Sequence, residues 1–193
     1  MLRLVSRQAG TTMMEVLVSI VIVVIGLLGL AGLQSRASVS EMEAFQRAQA
    51  LVLLQDMADR INANRKLSMD YVTTAPLGTG NSSGVVTPCT GTIAERDLCE
   101  WQNALLGAAE TTSGVAVGAM IGARGCVTNI TPTMPREFQI AVVWQGLVPT
   151  AAPGATLCGS GDYGDDRTRR AVTANVIIGC LQNNLANGLC ITP

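Results

Sequence analysis

Residues 16–33 read VLVSIVIVVIGLLGLAGL, a run of 18 residues without a charge. As an α-helix it is about 27 Å long, close to the roughly 30 Å hydrocarbon core of a bilayer. Arg3 and Arg7 precede it and no acid comes before Glu15. The positive-inside rule then predicts a cytoplasmic N-terminus, with everything beyond about Gln34 exported. A cleavable secretory signal is the alternative, with Ser35-Arg36-Ala37 as a small-x-small site. Against it, the run exceeds the roughly 7–15 apolar residues of such signals, and the helical pattern continues past that site.

Composition removes several function classes. The net charge is −1, which argues against nucleic acid as the main partner, because phosphate binding needs a basic surface. The chain has no histidine, which excludes His-based triads, His-ligated metals and histidine pH switches. No cofactor or metal site is expected, and no enzymatic activity.

Glu15 stands at the edge of the apolar run. A carboxylate drawn towards the bilayer centre costs about 2.5–3.5 kcal/mol, which marks it as a functional residue in need of a partner. The alternative is a headgroup position where it complements the positive end of a helix. The string Gly10-Thr11-Thr12-Met13-Met14-Glu15, after a short basic leader and before the apolar run, resembles the class III signal of type IV prepilins. The resemblance implies cutting by a prepilin peptidase between Gly10 and Thr11 and N-methylation of Thr11, where the family usually carries phenylalanine. It also implies an assembly salt bridge between Glu15 and the N-terminal amine of a neighbouring subunit. Such pairing is physically reasonable, because removing one partner of a buried pair strands the other at about 3–5 kcal/mol.

Beyond the run, apolar residues recur at Val39, Met42, Phe45, Ala48, Val52, Met57 and Ile61, marking one helix face. Arg47, Asp56, Asp59 and Arg60 lie largely off it, and the first proline is Pro76. The pattern ends at Asn62-Ala63-Asn64, where Asn stops a turn. A continuous helix over 14–65 is about 78 Å long, resembling a pilin stem. Gly26, Gly29 and Gly32 cost it about 0.5–1 kcal/mol each against Ala. They read either as close-packing positions in a membrane helix or, by resemblance, as sites where the stem melts during assembly.

The composition changes after residue 68. Residues 73–92 are crowded with Thr, Gly, Ser and Pro and read as loops. Residues 97–106 form a short helix with Leu98, Trp101 and Leu105 on one face. Strands are expected at about 125–130, 138–145 and 171–178. The second alternates Phe138, Ile140, Val142 and Trp144 against Gln139, Ala141, Val143 and Gln145, as a half-buried strand does. Gly and Pro between these runs favour antiparallel pairing. The predicted class is α+β: a long N-terminal helix packed on a small antiparallel sheet. The organisation is a leader at 1–10, a membrane or filament-core helix at 11–33, an amphipathic stem at 34–66 and an exported domain at 67–193.

The segments DLCEWQNALLG, REFQIAVVWQG and RTRRAVTANVII are similar to PilV-type minor pilins. That resemblance implies the pilin fold and a subunit that helps initiate pilus assembly in a tip complex, supporting adhesion and twitching motility. The implied partners are other minor pilins, the major pilin, a tip adhesin, the prepilin peptidase and the inner membrane. The implied location is the inner membrane before assembly and the surface pilus after it. The I-type pseudopilins of type II secretion, and pseudopilins of DNA uptake, share these features and form the alternative. The presence of Glu15 implies a place below the outermost subunit.

Cys89, Cys99, Cys126, Cys158, Cys180 and Cys190 all fall in the exported part. An even number in an oxidising compartment reads as disulfides. Six cysteines allow many pairings, but the two ten-residue spacings favour Cys89–Cys99 and Cys180–Cys190, leaving Cys126–Cys158. Two literal motifs are set aside. Gly80-Asn81-Ser82-Ser83-Gly84 matches G-x-S-x-G but lacks its strand, helix and histidine. Asp162, Asp165 and Asp166 offer oxygen ligands for calcium, yet Arg167, Arg169 and Arg170 beside them read as a solvated, self-neutralising face.

Overall fold

A computed structural model describes residues 12–80, 88–107, 111–112, 115–116 and 120–180. Helix α1 spans Met13–Ala63, 51 residues, followed by a 3₁₀ segment at Arg65–Tyr71. It ends where Asn and Arg side chains take over the last carbonyls. Asn62 Nδ2 donates to the Ala58 carbonyl at 2.9 Å and Arg65 Nε to the Asn62 carbonyl at 3.2 Å. Helix termini leave such acceptors without intrahelical partners.

The chain forms two compact units, Met1–Met42 and Glu43–Pro193. In the first, every described residue up to Ala37 and Ser38 is exposed. The helix there rests on its own backbone hydrogen bonds.

The second unit is built on a four-stranded antiparallel sheet with order β1-β4-β5-β6. Its strands are β1 (Leu77–Gly78), β4 (Arg124–Thr131), β5 (Arg136–Gln145) and β6 (Arg169–Ile178). Two-residue strands β2 (Thr111–Thr112) and β3 (Val115–Ala116) form a separate hairpin. The three expected strands are present, each slightly longer than predicted. The short β1 and the hairpin carry too little pattern to read from sequence.

Ala50, Leu54, Met57, Ala58 and Ile61 of α1 join Val127, Phe138, Ile140, Val142, Trp144, Val176 and Ile178 of the sheet in one core. Helix α2 (Ile93–Leu105) adds Trp101 and Leu105. It starts four residues before the predicted helix because Thr92 and Glu95 form a capping box. The Glu95 carboxylate accepts from the Thr92 N–H at 2.8 Å, and that bond holds its pKa below the usual range. Trp101 Nε1 donates to the Leu53 carbonyl at 2.9 Å, tying α2 to α1. The approach of α2 requires Gly125: a Cβ there would overlap the Trp101 ring and Leu105.

Two expectations need correction. The predicted apolar stripe on α1 does not face the core as a unit. Met57 and Ile61 are buried, but Met42, Phe45 and Val52 are exposed, and the inward positions above them are Gln46 and Ala50. Strand β5 is buried on both faces, not half-buried. Ala141 and Val143 on its back form a second cluster with Cys126, Cys158, Tyr163 and Ala171, because the loop between β5 and β6 folds over that face.

Candidate assembly segment

Glu15 lies in the first turn of α1. Its backbone N–H donates to the Thr12 carbonyl at 3.0 Å, and Ser19 Oγ donates to the Glu15 carbonyl at 2.7 Å. An acid in this turn complements the positive helix end. Among the described residues no ion pair reaches its carboxylate. Gly10 and Thr11, the expected cleavage and methylation positions, lie outside the described residues.

The following apolar run is the one helix among the described residues long and apolar enough to cross a membrane, and none of it is buried. That surface is consistent with membrane anchoring and pilus assembly. Leaving it in water would be unfavourable by about 25 cal/mol per Å² of apolar area, so lipid or protein must cover it. Helix α1 passes through Gly26, Gly29 and Gly32 unbroken, with none of the described residues' atoms within 4 Å of a Cβ added at any of them, apart from their chain neighbours and the helix backbone. In the second unit, Phe45, Ala48, Gln49, Val52 and Leu53 line a shallow, mostly apolar groove on the outer face of the helix.

Below this groove the end of α1 is held by charge. The Arg60 guanidinium bonds Asp56 at 3.0 Å, Asp97 at 2.8 Å and Glu100 at 2.7 Å. Burial alone would lower its pKa; bonds to Glu100, Asp56 and Asp97 outweigh that and raise it. Tyr71 donates its hydroxyl to Asp97, and burial together with that bond pushes its pKa up to about 12. Sequence reading placed Arg60 off the packing face. It lies at the margin, where the guanidinium reaches across to α2.

Cys89 is bonded to Cys99 and Cys126 to Cys158, with Cα separations of 5.6 and 5.9 Å. Cys180 is also disulfide-bonded, and Cys190, its expected partner, lies outside the described residues. The first bridge ties the lead-in of α2 to the helix; the second fastens the β5–β6 loop to the back of β4. Of the G-x-S-x-G string, residues 81–84 lie outside the described residues.

The aspartate–arginine cluster neutralises itself as expected and exposes Asp162, Asp165 and Arg167, but Arg169 departs from a solvated face. Arg169 is 2% exposed. It makes two bonds to Asp166, at 2.7 and 2.8 Å, and donates to the Pro153, Thr156 and Cys158 carbonyls. Those bonds from Arg169 hold the Asp166 pKa below its usual range. Asp162 pairs with Arg124, and Asp165 caps the 3₁₀ turn Asp166–Thr168 through the Arg167 N–H. These oxygens are committed to arginines and backbone.

Residues 32–104 match the family model described as Tt1218-like, Type IV pilin Tt1218. The match runs from the end of the apolar run, along the rest of α1, to the last turn of α2. No curated protein and no solved structure matches the chain. The matched segment holds the docked part of α1, the Cys89–Cys99 bridge and Trp101, and the long helix on a small antiparallel sheet is consistent with a pilin fold. Together these findings support a type IV pilin, a structural subunit of a pilus.

Proposed function

We propose that the chain is a minor pilin. It enters the inner membrane through its apolar helix with the N-terminus cytoplasmic, is cut after Gly10 by the prepilin peptidase, and is methylated on Thr11. It then joins other minor pilins in a priming complex at the pilus tip. One observation carries the reading: an acid, Glu15, in the first turn of a helix whose next 18 residues carry no charge, none of them buried. In an apolar filament core that carboxylate needs a cation, and a newly cut amine on a sister subunit supplies one. Methylation preserves that positive charge. The groove along Phe45, Ala48 and Val52 is a second apolar surface for neighbouring stems. Through the tip complex the subunit supports adhesion and twitching motility.

The test is the N-terminal sequence of the protein recovered from sheared surface fibres. Sequence starting at a modified Thr11 is expected. A start at Met1, or beyond residue 33, refutes the proposal. Recovery of Thr11-initiated protein only with a secretion or DNA-uptake apparatus transfers it to the pseudopilin reading.

A further inference from the structure

Along the seam between α1 and the sheet, packing quality changes with height. From Ala50 to Ile61 the inward side chains are apolar and buried: Ala50, Leu54, Met57, Ala58 and Ile61. At the other end the seam is polar. Glu43 Oε1 accepts from Arg170 Nη2 at 3.0 Å and from the Leu147 N–H at 3.2 Å. One turn on, Gln46 is 1% exposed, and its Oε1 has no hydrogen-bond partner among the described residues. Trp144, directly opposite Arg170 in the β5–β6 register, is 3% exposed and its Nε1 also lacks a partner among the described residues. Buried donors and acceptors left unpaired destabilise the state that buries them. A partly exposed ion pair compensates weakly.

We propose that Glu43–Arg170 is a latch: when it opens, residues 43–49 of α1 lift from the sheet about a hinge at Ala50 while the segment from Ala50 to Ile61 stays docked. Opening returns Gln46 and the Trp144 indole N–H to water and frees about 10 Å of helix from the sheet. Arg170 remains held by the Val148 carbonyl at 2.7 Å and the Arg167 carbonyl at 3.2 Å, so the β5–β6 loop keeps its place. Segments with few apolar contacts open in this way without global unfolding. A subunit built into a fibre would gain a bend in its docked helix while Leu54, Met57, Ala58 and Ile61 keep their place in the core.

Hydrogen exchange of the full chain in detergent micelles, read by mass spectrometry, tests the latch. Amides of 43–49 are expected to exchange about tenfold or more faster than those of 54–61. Glu43→Ala accelerates 43–49 further and leaves 54–61 and α2 unchanged. Gln46→Leu, which removes the unpaired acceptor, slows 43–49. Equal protection of the two segments in the unaltered chain overturns the proposal. So does acceleration of all segments alike by Glu43→Ala, or exchange at 43–49 that Gln46→Leu fails to slow.

Discussion

Between Val16 and Leu33 the large hydrophobics of α1 are 47–68% exposed, whereas Leu54, Met57, Ala58 and Ile61 farther along the same helix are 7% exposed or less. Neither stretch contains proline, but the first is rich in Val, Ile and Gly, weaker helix formers than the Ala, Leu, Gln, Met and Arg of the second. They differ in what covers them. The docked stretch gains its stability from Trp101, Phe138, Ile140 and their neighbours. Among the described residues the apolar stretch has no such cover, so its free energy depends on the medium or the subunits around it. A helix of this kind keeps its fold whether or not it is docked, and only the docked part reports on the stability of the domain.

Substitutions that respect this division should separate assembly from folding. The largest effect is expected at Glu15: Glu15→Ala abolishes incorporation into sheared fibres, read by immunoblot, while the melting temperature of the second unit does not move. Normal incorporation would show that the first stretch needs no charge pair. On the docked side, Trp101→Ala removes a buried ring and its bond to Leu53 and should cost about 3–5 kcal/mol in denaturant unfolding. Leu28→Ala, on the exposed side, should leave that unfolding curve in place. Gly125→Ala should cost about 1–3 kcal/mol by forcing Trp101 and Leu105 off β4. Gly26→Ala meets nothing and should instead favour the helix by about 0.5–1 kcal/mol, raising ellipticity in micelles; if the stem must melt there, fibre incorporation falls as ellipticity rises.

Alkali gives a smaller test confined to the docked side. Burial, aided for Tyr71 by its bond to Asp97, pushes the pKa values of Tyr71 and Tyr163 up to about 12. Unfolded tyrosine titrates near 10. The folded state holds these protons more tightly, so their contribution is complete below about pH 10 and is lost as pH rises through about 12. The urea midpoint should fall over that window, and Tyr71→Phe should flatten part of the fall.

Much of this architecture was readable beforehand, for identifiable reasons. The apolar run and the three main strands depend on spacing along the chain, which sequence displays directly. The Cys89–Cys99 and Cys126–Cys158 bridges are pairs that spacing favoured. The start of α2 was legible too, since Thr92 and Glu95 stand at capping-box spacing, but the prediction began at Asp97 and passed over them. The inward face of α1 was not legible. Phe45, Ala48, Ala50, Leu51, Val52, Leu53 and Leu54 point around most of the helix, so periodicity supports several faces equally. The burial of Arg169 was equally hidden, because carbonyls from Pro153 to Cys158 reach it only after the loop has folded back.

Taken alone, the order of residues determined a long helix, its greasy first half, an acid at the threshold of that half and an oxidised antiparallel domain. Each of these follows from local backbone preference, transfer free energy or redox compartment, which need no knowledge of neighbours in space. Which side of α1 meets the sheet, why β5 is buried on both faces and where Arg169 finds its acceptors were decided by tertiary structure. Those outcomes depend on elements far apart in sequence competing for the same surfaces, and the competition is settled by packing and hydrogen-bond satisfaction in three dimensions.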